Sequence, residues 1–398
     1  MQENMIKNLT FKNFYSFSEQ TVIDFALGKK PTPSGYDIEV AGERYNKAIA
    51  VVGANGSGKT QFLKPLAFLR WFVTESFLGI APDRAIPFFP HQLLSNETTY
   101  FEIEFVLNGV DYRYQLELTP EAVVFEALYE KTSSQFSYVF KREKTGQGYD
   151  FKKKNFPFSK RQAEKLRGNA SLLAAAYSYD VSEAKPFIDF FNRIESNVVS
   201  SGRRHFQHGA VVEAAKQFHD TPEFLKQMSD AMGKFDLGLN SVEIRELTHT
   251  DESGKEEKIF VPFGVHHTDD GAHFELPFFE ESSGTQSAFV LLGPILKTLH
   301  QGGIAVIDEL DNDLHPHLVP YLLEWFEFDH TNPHQAQLIF TCHTPEVLNL
   351  LQKHQVYLVE KRNQTSEAWR LDDMTGLRAD DNLYAKYMAG ALGATPEL

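Results

Sequence analysis

The sequence predicts an α/β fold: a mostly parallel sheet built on a phosphate-binding loop, with an antiparallel β-subdomain and a helical insertion. Three observations carry this. Residues 53–60, GANGSGKT, join a short apolar strand (KAIAVVG, 47–53) to an amphipathic helical pattern over about 60–77. Asn108-Gly109 separates two alternating runs, TYFEIEFVL and DYRYQLEL, which is a strong hairpin signal. From residue 287 to 360 helical and strand patterns alternate, as they do where helices cover the faces of a parallel sheet.

The elements follow in order. Residues 5–25 read as two short strands, and VVFEALYEK and SYVFKRE extend the hairpin into a meander over 99–142. Residues 159–235 turn helical, broken by Gly, Pro and Asn, and sustain no heptads, so no long coiled-coil arm is expected. Strands return at SVEIREL and KIFVPFGV, with a turn near Asp270-Gly271. Helices are expected at SAFVLLGPILKTLH, LVPYLLEWF and PEVLNLLQ, between strands GGIAVIDEL, AQLIFTC and VYLVEK. The expected division is 1–158 for an N-terminal lobe with the phosphate loop and β-subdomain, 159–236 for the helical insertion, and 237–398 for a C-terminal lobe. In the insertion Phe187, Phe190 and Phe191, with Arg203 and Arg204, are residue types suited to an exposed docking surface; the alternative is that the Phe pack the insertion's own core.

Composition narrows the function classes. Hydrophobic residues make up 42% of the 398, with 34 Phe, which excludes global disorder. No apolar run nears the ~20 residues of a membrane span, and the start, MQENMIKNLT, lacks a signal-peptide pattern. A cytoplasmic location with no membrane partner is expected. The single Cys342 excludes an internal disulfide framework and Cys-based zinc sites. A net charge of −15 excludes a protein that coats nucleic acid with its whole surface. It leaves only local basic patches: Lys152, Lys153 and Lys154; Lys160, Arg161, Lys165 and Arg167; Arg203 and Arg204. His205 and His208, and His266, His267 and His273, are expected to be surface histidines, since adjacent strand residues point to opposite faces.

The phosphate-loop pattern G-x-x-x-x-G-K-[ST] is met by Gly53 through Thr60 in its proper strand–turn–helix context. Backbone N–H groups of Asn55, Gly56, Ser57, Gly58 and Lys59 would cradle a β-phosphate at a helix N-terminus. Lys59 would reach the β/γ oxygens and Thr60 would ligate Mg²⁺, making ATP and Mg²⁺ the expected ligands. In IAVIDE, 304–309, four apolar residues form a buried strand. Asp308 at its end would hold the Mg²⁺ shell, and Glu309 would orient the attacking water.

With these motifs in place, Ser282-Ser283-Gly284-Thr285-Gln286 resembles the ABC signature, in the variant form of recombination-repair and defence ATPases. In that superfamily the signature faces the γ-phosphate held by the other subunit, which implies a head-to-head homodimer with Ser283 and Gly284 as nucleotide contacts. LDNDLHP (310–316) is similar to the D-loop, with Asp311 or Asn312 signalling across the dimer. His343 takes the place of the switch histidine, and Gln92 that of the Q-loop glutamine at Mg²⁺. LTFKNFYSF resembles the N-terminal strand of the repair ATPases, which implies a nucleotide contact at Asn13. Over residues 5 to about 360 the chain resembles the single-head ABC ATPases of bacterial antiphage defence systems, the OLD-like, AbiLi/RloA-like and PtuA-like proteins. YAKYMAGALGATPEL is a looser version of their ending. Only 55 residues follow His343, without room for the Toprim nuclease of OLD proteins proper, so the resemblance implies a separate effector partner, nuclease or toxin. Two other roles stay open on the sequence: a RecF-type or SMC-like repair clamp, and a nucleotide-gated scaffold that sequesters a toxin.

Overall fold

The computed structural model describes residues 4–28, 31–146, 148–200, 202–204, 208–235, 238–250, 256–312 and 318–395. Its centre is a six-stranded sheet in the order Ile194–Ser196, Ile304–Ile307, Gln337–Thr341, Ala48–Val52, Val356–Arg362, Thr365–Arg370. The first five strands are parallel and the last is antiparallel to its neighbour. The α/β class expected from the sequence is the one observed.

The two faces of this sheet build two cores. Ile49, Val51, Ile304, Val306, Ile339 and Val359 pack with the phosphate-loop helix Lys59–Gly79 and with a seven-stranded antiparallel sheet. Ala48, Ala50, Val52, Ala305, Ile307, Leu338 and Phe340 pack against helices on the other side, among them His208–Asp220, Pro222–Phe235, Ser283–Gln301 and Leu318–Glu327. Successive side chains of a strand alternate between faces. Covered on both, these strands must read as unbroken apolar runs.

The antiparallel sheet extends the meander expected at 99–142. Strands Met5–Lys12 and Thr21–Asp24 join one edge and Gly148–Lys153 the other. Gln337 ties the two sheets together: its side-chain oxygen accepts from the Ile6 N–H at 2.8 Å, and its amide donates to the Ile6 carbonyl at 3.0 Å. A third sheet, Ser241–Thr250, Glu256–His267 and His273–Pro277, contains the expected hairpin, with Gly271 in the left-handed region at its turn.

Three expectations are corrected here. The 159–236 segment is not helical throughout: Ile194–Ser196 forms the edge strand of the central sheet, and Val198–Val199 pairs with Gly202–Arg203 as a small hairpin. Strands of two or three residues are too short to show a period among helices. Phe187, Phe190 and Phe191 are buried rather than exposed. Phe190 stacks on Phe105 at 4.3 Å, Phe187 meets Tyr112 edge-on at 5.0 Å, and Phe191 packs on both Phe105 and Tyr114. The residues after His343 form a 3-10 turn, Pro345–Asn349, instead of an α-helix.

Candidate functional site

The site is assembled where three neighbouring parallel strands end. Ile304–Ile307 delivers Asp308 and Glu309; Gln337–Thr341 delivers Thr341 and His343; Ala48–Val52 delivers the phosphate loop. Carboxyl ends of such strands are where α/β sheets place their ligands.

The loop is shaped by its glycines. Gly58 caps the helix Lys59–Gly79 with φ at 112°, and a Cβ there would lie 2.4 Å from the Ser366 hydroxyl. A Cβ on Gly53 would lie 2.2 Å from the Val359 carbonyl oxygen. Ser366 donates to the Ser57 carbonyl at 2.6 Å and is bridged to the Ser16 hydroxyl at 2.7 Å. The Ala54 N–H donates to the carbonyl of Ala394, which also accepts from the Tyr387 hydroxyl, so the chain's last described turn braces the loop. The Lys59 ammonium donates to the Gly53 and Ala54 carbonyls at 2.8 and 3.1 Å. Burial pulls its pKa below the ordinary lysine value, against the opposing carboxylates of Asp308, Glu309 and Asp311.

Asp308 is 1% exposed and its carboxylate is bracketed by two hydroxyls, Thr60 at 2.8 Å and Thr341 at 2.6 Å. Its backbone is clamped on both sides by Asn197: the Asp308 N–H donates to Oδ1 at 2.7 Å and the carbonyl accepts from Nδ2 at 3.0 Å. Glu309 adopts a left-handed backbone, φ 53°, held by its N–H donating to the Thr341 hydroxyl at 2.6 Å. Its carboxylate is shared, Oε1 with His343 Nε2 at 3.1 Å and Oε2 with Arg203 Nη1 at 2.6 Å. Burial alone would raise the Glu309 carboxyl; the His343 and Arg203 hydrogen bonds outweigh it and hold it below the usual range.

The residues present suit a nucleotide and a hard cation. Gly53 and Gly58 let the loop pack directly on the Val359 carbonyl and the Ser366 hydroxyl, and the Ser57 hydroxyl is buried with no partner among the described residues. Thr60 and Asp308 bring two oxygen donors together at hydrogen-bond distance, the donor chemistry Mg²⁺ takes.

Several expected site residues fall elsewhere. The Asn13 side chain is fully buried, donating to the Leu94, Glu97 and Thr98 carbonyls and accepting from the His91 N–H. It clamps the 91–98 turn. Gln92 opens a short 3-10 turn capped by His91 and is exposed to solvent. Asp311 is spent locally, accepting from the backbone N–H groups of His343 and Thr344. Those bonds and the Thr344 hydroxyl overcome burial and lower its pKa. Asn312 is exposed, and residues 313–316 of the D-loop-like stretch lie outside the described residues. Ser282, not Ser283, caps the helix Ser283–Gln301, accepting from the Thr285 N–H at 3.1 Å. Ser283 is exposed and Gly284 partly so; no hydrogen bond links residues 282–286 to residues 53–60 among the described residues.

Arg203 is an ion-pair partner of Glu309 rather than part of a basic surface, and Arg167 donates to the Ser76 and Phe77 carbonyls. His266 bonds Glu281 at 2.8 Å, and His205 and the His208 side chain lie outside the description. Among the described residues no group of three or more His, Cys, Asp or Glu could hold a metal ion, and no helix is long and apolar enough to cross a membrane. The sequence reading missed Asn197, Thr341, Ser16 and Ser366. Only Thr341 carries a signal, as the hydroxyl closing the strand beside Asp308.

The chain is similar to solved structures of SMC head domains. An SMC head domain from Thermotoga maritima is 15% identical, with 92% of this chain and 98% of that one covered at a TM-score of 0.43. An Smc head domain with a coiled coil and joint from Pyrococcus yayanosii is 10% identical, covering 97% and 99% at a TM-score of 0.47. No curated protein matches. The family model described as "AAA domain, putative AbiEii toxin, Type IV TA system" matches residues 48–349, a span that contains the phosphate loop, Asp308, Glu309 and His343, and the chain belongs to that family.

Proposed function

We propose that this chain hydrolyses ATP as an ABC-type head that closes head-to-head with a second copy. We propose further that it serves as the regulatory subunit of a bacterial antiphage defence system, its ATP state controlling a separate nuclease or toxin. The observation that carries the ATPase reading is the convergence of Lys59, Thr60, Asp308, Glu309 and His343 on three adjacent strand ends. The family's description, which names a putative toxin and a type IV TA system, supports a place in such a system.

In this reading the N–H groups of residues 55–60 and the Lys59 ammonium bind the phosphates of ATP. Thr60 and Asp308 would hold Mg²⁺, which would supply positive charge to the phosphates. Glu309 orients the attacking water and accepts its proton, while His343 holds the far oxygen of that carboxylate. Because Ser282 supplies the cap, the exposed Ser283 hydroxyl is available to the γ-phosphate bound by a facing copy.

Glu309→Gln keeps the binding groups and removes the base. ATP binding should persist while turnover falls about 10²–10⁴-fold; turnover at the wild-type rate would sink the assignment. Lys59→Ala should lose ATP binding itself, measured by fluorescent-nucleotide titration. For the defence role, phage should plate less efficiently on cells expressing the wild type than on cells expressing Lys59→Ala, and equal plating argues against it.

A further inference from the structure

The segment 197–203, read from sequence as part of a helical insertion, supports both acids of the site from outside the motifs. Asn197 grips the backbone of Asp308 on both sides, and Arg203 grips the Glu309 carboxylate at 2.6 Å. Between them, the Ser200 carbonyl accepts from the Tyr15 hydroxyl at 2.9 Å and from the Lys64 ammonium at 2.8 Å. Lys64 lies one turn into the phosphate-loop helix, over the Tyr15 ring at 3.7 Å. The hairpin Val198–Val199/Gly202–Arg203 therefore ties the phosphate-loop helix to the acid at the end of Ile304–Ile307, two strands away in the sheet.

We propose that Arg203 is the positioning residue of the water-orienting Glu309, and that the paired strands Val198–Val199 and Gly202–Arg203 keep it in register with the phosphate-loop helix. The proposal rests on the ATPase reading above. An arginine this close lowers a carboxylate's basicity, so its effect on rate depends on whether basicity or orientation matters more. Phosphoryl transfer passes through a loose transition state in which the nucleophile's proton is lost late, so aiming the water outweighs basicity. A carboxylate has about four lone-pair sites, and the bonds from Arg203 and His343 leave one on each oxygen for a water. With its backbone already in the left-handed region, the Glu309 side chain depends on those two partners for its direction.

The test is steady-state ATPase kinetics of the full chain bearing Arg203→Ala, Arg203→Lys and Tyr15→Phe. Arg203→Ala should lower kcat about 10- to 100-fold, the scale of a misplacement near 1 Å, with KM for ATP within about twofold. Arg203→Lys, which keeps the charge and loses the fork, should recover part of the loss. Tyr15→Phe, with Arg203 intact, should lower kcat by a smaller factor. In a Glu309→Gln background Arg203→Ala should add nothing in single-turnover measurements. An unchanged or raised kcat in Arg203→Ala overturns the proposal, as does a loss confined to KM or a full additional loss in the Glu309→Gln background. Absence of ATP hydrolysis by the wild type would place the failure with the ATPase reading; wild-type turnover in Glu309→Gln would instead remove Glu309 as the water-orienting group and overturn the proposal with it.

Discussion

Lys64 shows how a residue can serve the site and weaken the fold. It is 7% exposed, and burial pulls its pKa down to about 8, against a weaker opposing pull from Asp308. Its folded pKa thus lies below the unfolded value of 10.5. Between those two values the unfolded chain binds more protons than the folded one, so stability rises with pH through that window. The stability tied to a neutral Lys64 is complete above the unfolded pKa and lost as pH falls through about 8. Comparing wild type with Lys64→Met removes the other groups that titrate there. The wild type should gain on the variant by up to about 1.4 kcal/mol per pH unit between pH 8 and 10, read as the difference in denaturant midpoints. Parallel pH curves for the two proteins would contradict this. The glycines of the loop act at the same scale: Gly53 and Gly58 were legible from the motif, yet the walls that demand them, the Val359 carbonyl and the Ser366 hydroxyl, lie over 300 residues away.

At the scale of elements, the helical stretch before residue 194 is anchored to the antiparallel sheet by one buried ion pair. Glu126, on strand Val123–Lys131, accepts from Arg142 at 2.7 Å, from the Tyr114 hydroxyl at 2.8 Å, and from the hydroxyl of Ser171 and the N–H of Leu172. Arg142 also donates to the Ala170 carbonyl, and neither member of the pair is exposed at all. Removing one partner strands the other charge. Glu126→Ala should therefore cost about 3–5 kcal/mol, measured by urea unfolding, and Glu126→Gln should cost less because it keeps most acceptor geometry. A change below about 1 kcal/mol in Glu126→Ala would mean that Arg142 is solvated or repaired by neighbours. The meander that carries Glu126 was legible from its alternation and its Asn-Gly turn. The pairing of Glu126 with Arg142 was not, because a charge buried at zero exposure has the same sequence signature as one on a solvated face.

For the molecule as a whole, the decisive question is whether two copies complete each other. Ser283 is exposed and, among the described residues, not hydrogen-bonded to the phosphate loop; in the proposed cycle a second copy would bring it there. Glu309→Gln with ATP and Mg²⁺ should run as a dimer in size-exclusion chromatography with light scattering, and Ser283→Arg should abolish that shift. Mixing Ser283→Arg with Lys59→Ala chains should restore one of the two composite sites and part of the ATPase rate. A mixture that forms heterodimers and stays inactive would remove the trans role of Ser283.

Legible in the order of the residues were the fold class and, as motifs, Gly53 to Thr60, the Asp308-Glu309 pair and His343. Each is written in contiguous residues whose spacing is set by local geometry: a strand end, a tight turn, a helix start. Tertiary structure alone decided what surrounds them. Asn197 and Arg203 reach Asp308 and Glu309 across more than 100 residues of chain, and Ser366 reaches the phosphate loop across about 300. Such contacts depend on which strands become neighbours in the sheet, and strand order follows from long-range burial on two faces, which no local period encodes. The same reason turned Phe187, Phe190 and Phe191 inward: their partners Phe105 and Tyr112 belong to a sheet some 80 residues earlier.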